Sequence, residues 1–193
     1  MDNIVRILAF SGSTREGSYN KKLLKIAVDG ARKAGAEVTE QELRDIPMPL
    51  YDGDLEDREG IPSNGLKFCD LLLNHDGFLI ASPEYNGTFS AVLKNSLDWA
   101  SRPQEGKPSL HCYRGKVASI LSASDGYFGG VRGLNHLRIL LLQLGVTVLP
   151  SQVMIPKAQK AFGDNGSLLD EKKQASTLKL GADLVDFLRK LKD

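Results

Sequence analysis

The sequence predicts a doubly wound α/β sandwich, one five-stranded parallel sheet covered by helices on both faces. Three observations carry this. Short apolar runs rich in β-branched residues alternate with longer segments of helical period. Each pair of successive strands is separated by such a segment, and parallel strands need crossover helices, which then cover both sheet faces. The 193 residues suit one domain with a sizeable core, and no repeat, low-complexity tract or linker divides them.

In chain order, Ile4 to Phe10 (IVRILAF) reads as a buried first strand. Asn20 to Ala34 follows as a helix, with Leu23, Leu24, Ala27, Val28 and Ala31 at helical spacing and Gly35 to end it. Glu37 to Leu43 alternates like an edge strand and leads into a loop with Pro47, Pro49 and Pro62. A helix is expected over Asn64 to Asn74, a strand over Gly77 to Ala81 and a helix over Ser90 to Ala100. Lys116 to Leu121 is the fourth strand, Gly130 to Leu144 an apolar helix closed by Gly145, and Val146 to Leu149 the fifth strand. A last helix spans Glu171 to Lys190. Five strands and five helices in this length favour the flavodoxin-like order 2-1-3-4-5 over the Rossmann order, although length alone does not decide between them. The expectation is a single domain over residues 1–193.

Twenty-five basic and 24 acidic side chains give a formal charge of +1. Such a balance, without a basic run, points away from nucleic acid and anionic membranes as partners. Cys69 and Cys112 lack CxxC spacing and suggest neither a disulfide scaffold nor a zinc site. Met1-Asp2-Asn3-Ile4 runs directly into a strand pattern, and no apolar stretch approaches a membrane span of ~20 residues. A cytoplasmic protein is expected.

Ligands of doubly wound sheets bind outside the carboxyl ends of the strands, where the strand order switches. Three loops there are unusual. The first, Gly12-Ser13-Thr14-Arg15-Glu16-Gly17-Ser18-Tyr19-Asn20, opens a helix, so backbone N–H groups and the positive helix terminus converge. Gly12 and Gly17 allow close backbone approach, hydroxyl and amide groups supply donors, and Arg15 supplies a planar cationic fork. The loop lacks GxGxxG and a GKS/GKT end, which fits a terminal monophosphate better than a pyrophosphate or triphosphate. An N-capped helix after a polar turn explains the same residues without a ligand. The second loop, Ser82-Pro83-Glu84-Tyr85-Asn86-Gly87-Thr88, combines turn chemistry with an aromatic face suited to a flat ring. A plain surface turn is its alternative. The third, Ser122-Ala123-Ser124-Asp125-Gly126-Tyr127-Phe128-Gly129-Gly130, is small, polar and glycine-rich.

At these residues the chain resembles the NADPH-dependent FMN reductase family, which includes quinone, chromate and azo-dye reductases. The matching pieces are GSTREGSYN (12–20), SPEYNGTFSAVLKNSLDW (82–99), GK (115–116) and GG (129–130). The resemblance implies FMN as cofactor, NADPH or NADH as hydride donor, and a ping-pong cycle ending on a quinone, azo compound, metal oxyanion such as chromate, or free flavin. It implies that Ser13, Arg15, Ser18 and Asn20 hold the FMN phosphate. Pro83, Glu84, Tyr85 and Asn86, with Gly87, would border the isoalloxazine ring, and Ser122, Ala123, Ser124, Asp125 and Gly126 would complete its site. No side chain is expected to act as a catalytic acid or base, because the flavin carries the chemistry. Homodimers or homotetramers are implied, with Leu50-Tyr51-Asp52 a candidate contribution to a neighbour's site. An FMN electron carrier or redox module without NADPH turnover is the alternative, disfavoured by near-neutral charge.

Other residues read as structural. His75, His111 and His136 lack metal spacing, Cys112 beside His111 has no acidic orienter, and Trp99 ends an apolar helix. Glu84 precedes a turn in which its backbone counts for more than its carboxylate. Leu137 to Leu144 (LRILLLQL) is apolar around more than one helix face, and the excess is expected to meet a second subunit.

Overall fold

The computed structural model describes residues 4–192; Met1 to Asn3, used above to read the chain start, lie outside them. The strands are β1 (Arg6–Ser11), β2 (Glu37–Glu42), β3 (Gly77–Ala81), β4 (Val117–Ala123) and β5 (Thr147–Ile155). All pair in parallel in the order β2-β1-β3-β4-β5, the flavodoxin-like arrangement. Successive side chains of a strand point to opposite faces, so β1 feeds two cores at once. Ile7 and Ala9 pack with Leu23, Ala27, Leu184 and Val185 under α1 (Tyr19–Lys33) and α6 (Glu171–Lys192). Leu8 and Phe10 pack with Phe68, Leu97, Leu137 and Leu141 under α3 (Ser63–Leu73), α4 (Ala91–Ala100) and α5 (Val131–Gln143).

Helices α1 and α6 meet almost backbone to backbone. A Cβ on Gly181 would lie 1.9 Å from the Ala27 carbonyl oxygen, and one on Gly30 would lie 2.0 Å from that of Leu178. Only glycine fits at these two positions, and the close approach seats both helices on one sheet face.

The chain departs from the sequence expectation at two elements. Among the described residues there are six α-helices rather than five, the extra one being α2 (Gly53–Glu59), which buries no residue and so shows no apolar period. Asp52 caps it by accepting from the Asp54 N–H at 2.9 Å. Strand β5 runs to Ile155 rather than stopping at Leu149. Pro150 falls in a bulge of this edge strand, where no ladder N–H is required, so the strand continues past it. From α5, Arg138 donates to the carbonyls of Val148 (3.1 Å) and Leu149 (2.9 Å) and so satisfies the bulged backbone. Among the described residues no helix is long and apolar enough to cross a membrane.

Candidate functional site

The three loops converge at the carboxyl edge of the sheet, where β1 lies between β2 and β3 and the strand order reverses. Between them is a cavity of about 230 Å³. Ser13, Arg15, Ser18, Tyr19 and Asn20 line it from the first loop, Pro83, Glu84 and Tyr85 from the second, and Ala123, Ser124 and Asp125 from the third. All eleven belong to the set expected from sequence.

The first loop is anchored from both sides. The Gly12 N–H donates to the Ala81 carbonyl at 2.8 Å, and the Ser90 hydroxyl donates to the Gly12 carbonyl. Ser90 also caps α4. Arg44, just beyond β2, donates to the Thr14 carbonyl and to Glu16, the latter at 2.9 Å. Ser18 caps α1 by accepting from the Lys21 N–H at 3.4 Å, which leaves its own O–H free to point outward. Arg15 is exposed on the cavity, and among the described residues no carboxylate pairs with it. An unpaired guanidinium beside a capped helix start has the chemistry to receive an anion.

Asn20 has a structural duty within this seat. Its amide donates to the Ala123 carbonyl at 2.8 Å and accepts from the Ala123 N–H at 2.9 Å, tying α1 to the end of β4. One of its two N–H bonds remains for the cavity.

In the second loop, Tyr85 and Thr88 exchange backbone hydrogen bonds of 2.8 and 3.1 Å around Asn86 and Gly87. Both central residues have positive φ (51° and 85°), the type I′ pattern that Asn-Gly favours. The turn holds the Tyr85 ring 49% exposed beside the cavity. The Glu84 carboxylate is spoken for: it accepts from Arg132 at 2.9 Å and from the Gly133 N–H at 3.0 Å, near the start of α5. That pairing ties the second loop to the start of α5, directly after the third loop, and removes Glu84 from consideration as a free base.

The third loop is pinned to the chain after β5. The Ser124 N–H donates to the Ile155 carbonyl (3.0 Å), Ser124 accepts from the Ala158 N–H (3.1 Å), and Asp125 accepts from the Gln159 N–H (3.1 Å). Gly130 has φ of 90°, and a Cβ there would fall 1.9 Å from the Ser122 hydroxyl.

Seven expected residues do not line the cavity: Gly12, Thr14, Gly17, Asn86, Gly87, Ser122 and Gly126. Two of them have evident packing roles. Ser122 is fully buried against Gly130, with its hydroxyl unpartnered among the described residues, so it supports the loop from below. Gly12 is required by packing, since a Cβ would meet the Ser90 hydroxyl at 2.8 Å, whereas one at Gly17 would meet nothing within 4 Å. Sequence reading missed Ser90, Arg44, Arg132 and the Ile155–Gln159 strap, all of which act across the fold.

The remaining candidates sit elsewhere. Tyr51 packs on the buried Trp99 (centroids 5.0 Å apart), while its hydroxyl donates to Glu56 at 2.9 Å. Glu56 also pairs with Arg102 at 2.8 Å, so it raises the pKa of both the phenol and the guanidinium. Leu50 beside it is 78% exposed. His75 is fixed by Leu71 and Thr39, at 2.6 and 2.8 Å. Cys112 donates to the Ala100 carbonyl at 3.2 Å; its contact with Cys69 and burial push its thiol upward, the reverse of an activated nucleophile. Among the described residues no three His, Cys, Asp or Glu side chains could hold a metal ion.

The model of the NADPH-dependent FMN reductase family matches residues 5–160. The chain belongs to this family. It is 42% identical over 174 residues to NAD(P)H-dependent FMN reductase PA1204 of Pseudomonas aeruginosa, covering 89% of each protein. It is 38% identical over 171 residues to an NADPH:quinone oxidoreductase of Arabidopsis thaliana, covering 87% of this chain and 84% of that one. Among solved structures it is similar to the NAD(P)H:(acceptor) oxidoreductase FerB of Paracoccus denitrificans, with a TM-score of 0.78 at 26% identity over 97% of this chain and 98% of that one. Family membership makes the chain an oxidoreductase with FMN as cofactor and NAD(P)H as electron donor.

Proposed function

We propose that this chain is a single-domain NAD(P)H-dependent FMN oxidoreductase that passes electrons to a quinone-type or similarly open class of acceptor. The observation that carries the reading is the unpaired Arg15 guanidinium beside the Ser18 hydroxyl at the start of α1, in one cavity with the exposed Tyr85 ring. The residues present fit FMN on their own chemistry. Arg15, Ser13, Ser18 and the N–H groups opening α1 offer charge-assisted donors for a phosphate. Pro83, Tyr85, Ala123 and Ser124 offer a flat, partly apolar wall with backbone polar groups for a heteroaromatic ring.

When bound, FMN would supply the redox chemistry between NAD(P)H and a second substrate, in the ping-pong order proposed here. The chain positions it. Arg15 would neutralise the phosphate and Tyr85 would wall the ring, while the Glu84–Arg132 pair holds the second loop against the start of α5, which follows the third loop. Glu84 accepts from Arg132 and from the Gly133 N–H, and Asp125 accepts from the Gln159 N–H, so both cavity carboxylates are engaged in holding their loops. Azo compounds, chromate and free flavin are further acceptors that such an open site accommodates.

Helix α5 supports a homodimer or tetramer. Leu137 and Leu141 face the core, while Ile139 and Leu142 are 65% and 55% exposed on the other side. Leu50 is a further exposed residue near the site. Monomers at micromolar concentration in light scattering would remove this part of the proposal.

Anaerobic mixing with NADPH tests the function. Rapid loss of the oxidised flavin absorbance, regained on adding a quinone, is expected. A bound flavin that stays oxidised would favour an electron carrier or redox module.

A further inference from the structure

Two aromatic side chains stand in solvent on the third loop, just beyond its cavity-lining residues. Tyr127 is 78% exposed and Phe128 64%, and their rings meet edge to face with centroids 6.4 Å apart. Tyr127 lies two residues beyond the cavity-lining Asp125, within about 8 Å of chain. The backbone that carries these rings is held firmly. Gly126 accepts from the Lys157 N–H at 3.3 Å, Asp125 holds Gln159, and Gly129 and Gly130 turn with φ of 60° and 90° against Ile155 and Ser122. The rings are therefore displayed by a pinned loop.

Each ring has a cation over it. Lys157 Nζ lies 5.1 Å from the Tyr127 centroid, and the Arg132 guanidinium carbon lies 5.9 Å from that of Phe128. Arg132 is already neutralised by Glu84, at 2.7 Å. Lys157 has no carboxylate partner among the described residues. The ledge thus offers stacking faces and one uncompensated positive charge, which together recognise a planar heteroaromatic ring bearing an anion.

We infer that this ledge receives the 2′-phosphoadenosine end of NADPH, with adenine against Tyr127 and the 2′-phosphate beside Lys157, and so makes the protein prefer NADPH to NADH. The inference rests on the NAD(P)H-dependent reading above. The charge of the donor decides for it over the acceptor. A quinone, whatever the length of its side chain, carries no anion for Lys157. A dinucleotide whose nicotinamide lies against a flavin held in the cavity extends well beyond it, and its far end is a purine carrying a dianion.

The test uses the FMN-loaded protein with Lys157→Asn and Tyr127→Ser. Asn tolerates the left-handed backbone of residue 157, where φ is 49°. Lys157→Asn is expected to lower kcat/KM for NADPH about tenfold, the scale of one charge-assisted phosphate contact, and that for NADH less than about twofold. Tyr127→Ser removes a stack that both donors share and is expected to lower both values by a similar factor, about fivefold or more. Calorimetric titration with 2′,5′-ADP and 5′-AMP reads binding without turnover: the wild type should hold 2′,5′-ADP more tightly, and Lys157→Asn should erase the difference. Three results would overturn the inference: equal effects of Lys157→Asn on both donors, no distinction between the two probes in the wild type, or dissociation of an oligomer by Tyr127→Ser, which would assign the rings to a subunit contact. If neither donor reduces the wild-type flavin, the proposed function fails, while the two probes still report on the ledge.

Discussion

Replacing Asn20 with Ala separates the structural part of the candidate site from the part that meets a ligand. The Asn20 amide makes two buried hydrogen bonds to Ala123, of 2.8 and 2.9 Å, that join the first turn of α1 to the last residue of β4. Alanine leaves the N–H and C=O of Ala123 without these partners in an interior position, Ala123 being 3% exposed. Each orphaned group costs about 1–3 kcal/mol, so the loss should be about 2–6 kcal/mol. For a chain of this length each kcal/mol moves Tm by about 2–4 °C, giving a fall of about 4–24 °C. The assay is thermal or urea unfolding of the flavin-free protein, so that cofactor affinity does not enter. Arg15→Ala is the control: Arg15 is exposed and without an ion-pair partner, and its flavin-free form should lie within about 0.5 kcal/mol of wild type. An Asn20→Ala protein as stable as wild type would refute the assignment of Asn20 as a tie.

Three further outcomes are expected. Glu84→Gln should keep an acceptor for the Gly133 N–H but lose the ion pair with Arg132; turnover with NADPH should then show an unshifted pH profile, because Glu84 moves no proton, and a new pH dependence in steady-state rates would contradict this. Burial acts to raise Asp76, but the Arg6 N–H (2.7 Å) and the Lys192 ammonium (2.8 Å) outweigh it and hold its carboxyl below the ordinary range. A carboxyl depressed in the folded state contributes stability above its unfolded value of about 3.9, and this contribution is lost as the pH falls through the folded value. Asp76→Asn should therefore lower stability at neutral pH and flatten the fall below about pH 4 in urea titrations; an unchanged acid limb would argue against the pair. Gly181→Ala places a Cβ 1.9 Å from the Ala27 carbonyl oxygen and should force α6 away from α1, lowering stability by about 3 kcal/mol in urea unfolding.

The elements with strong local patterns were legible. Gly77–Ala81 was bounded correctly because five successive apolar residues leave a central strand no other reading, and α1 was found to within one residue because its apolar stripe and Gly35 mark face and end. Helix α2 left no trace because it is acidic and buries nothing, and Pro150 hid the second half of β5 because bulges in edge strands look like strand ends. In the candidate site, the eleven lining residues lay within loops that the strand-order rule pointed to. What local sequence does not show is the partner across the fold. Nothing near Asn20 indicates that Ala123, 103 residues away, engages its amide, and nothing near Glu84 indicates Arg132. For the same reason Gly12 read as a ligand-approach glycine, when the residue excluding a Cβ there is Ser90.

The central claim is that the loop from Gly12 to Asn20 holds a phosphate, with Arg15 as its principal charge. The most direct measurement is the ratio of FMN to riboflavin affinity, by fluorescence titration of the flavin-free wild type and Arg15→Ala proteins. Riboflavin lacks only the phosphate, so the ratio isolates that contact. The wild type should favour FMN strongly, and Arg15→Ala should reduce the preference by about ten- to a hundredfold, the scale of a charge-assisted contact of about 1.5–3 kcal/mol. An unchanged ratio in Arg15→Ala would mean that the phosphate lies elsewhere.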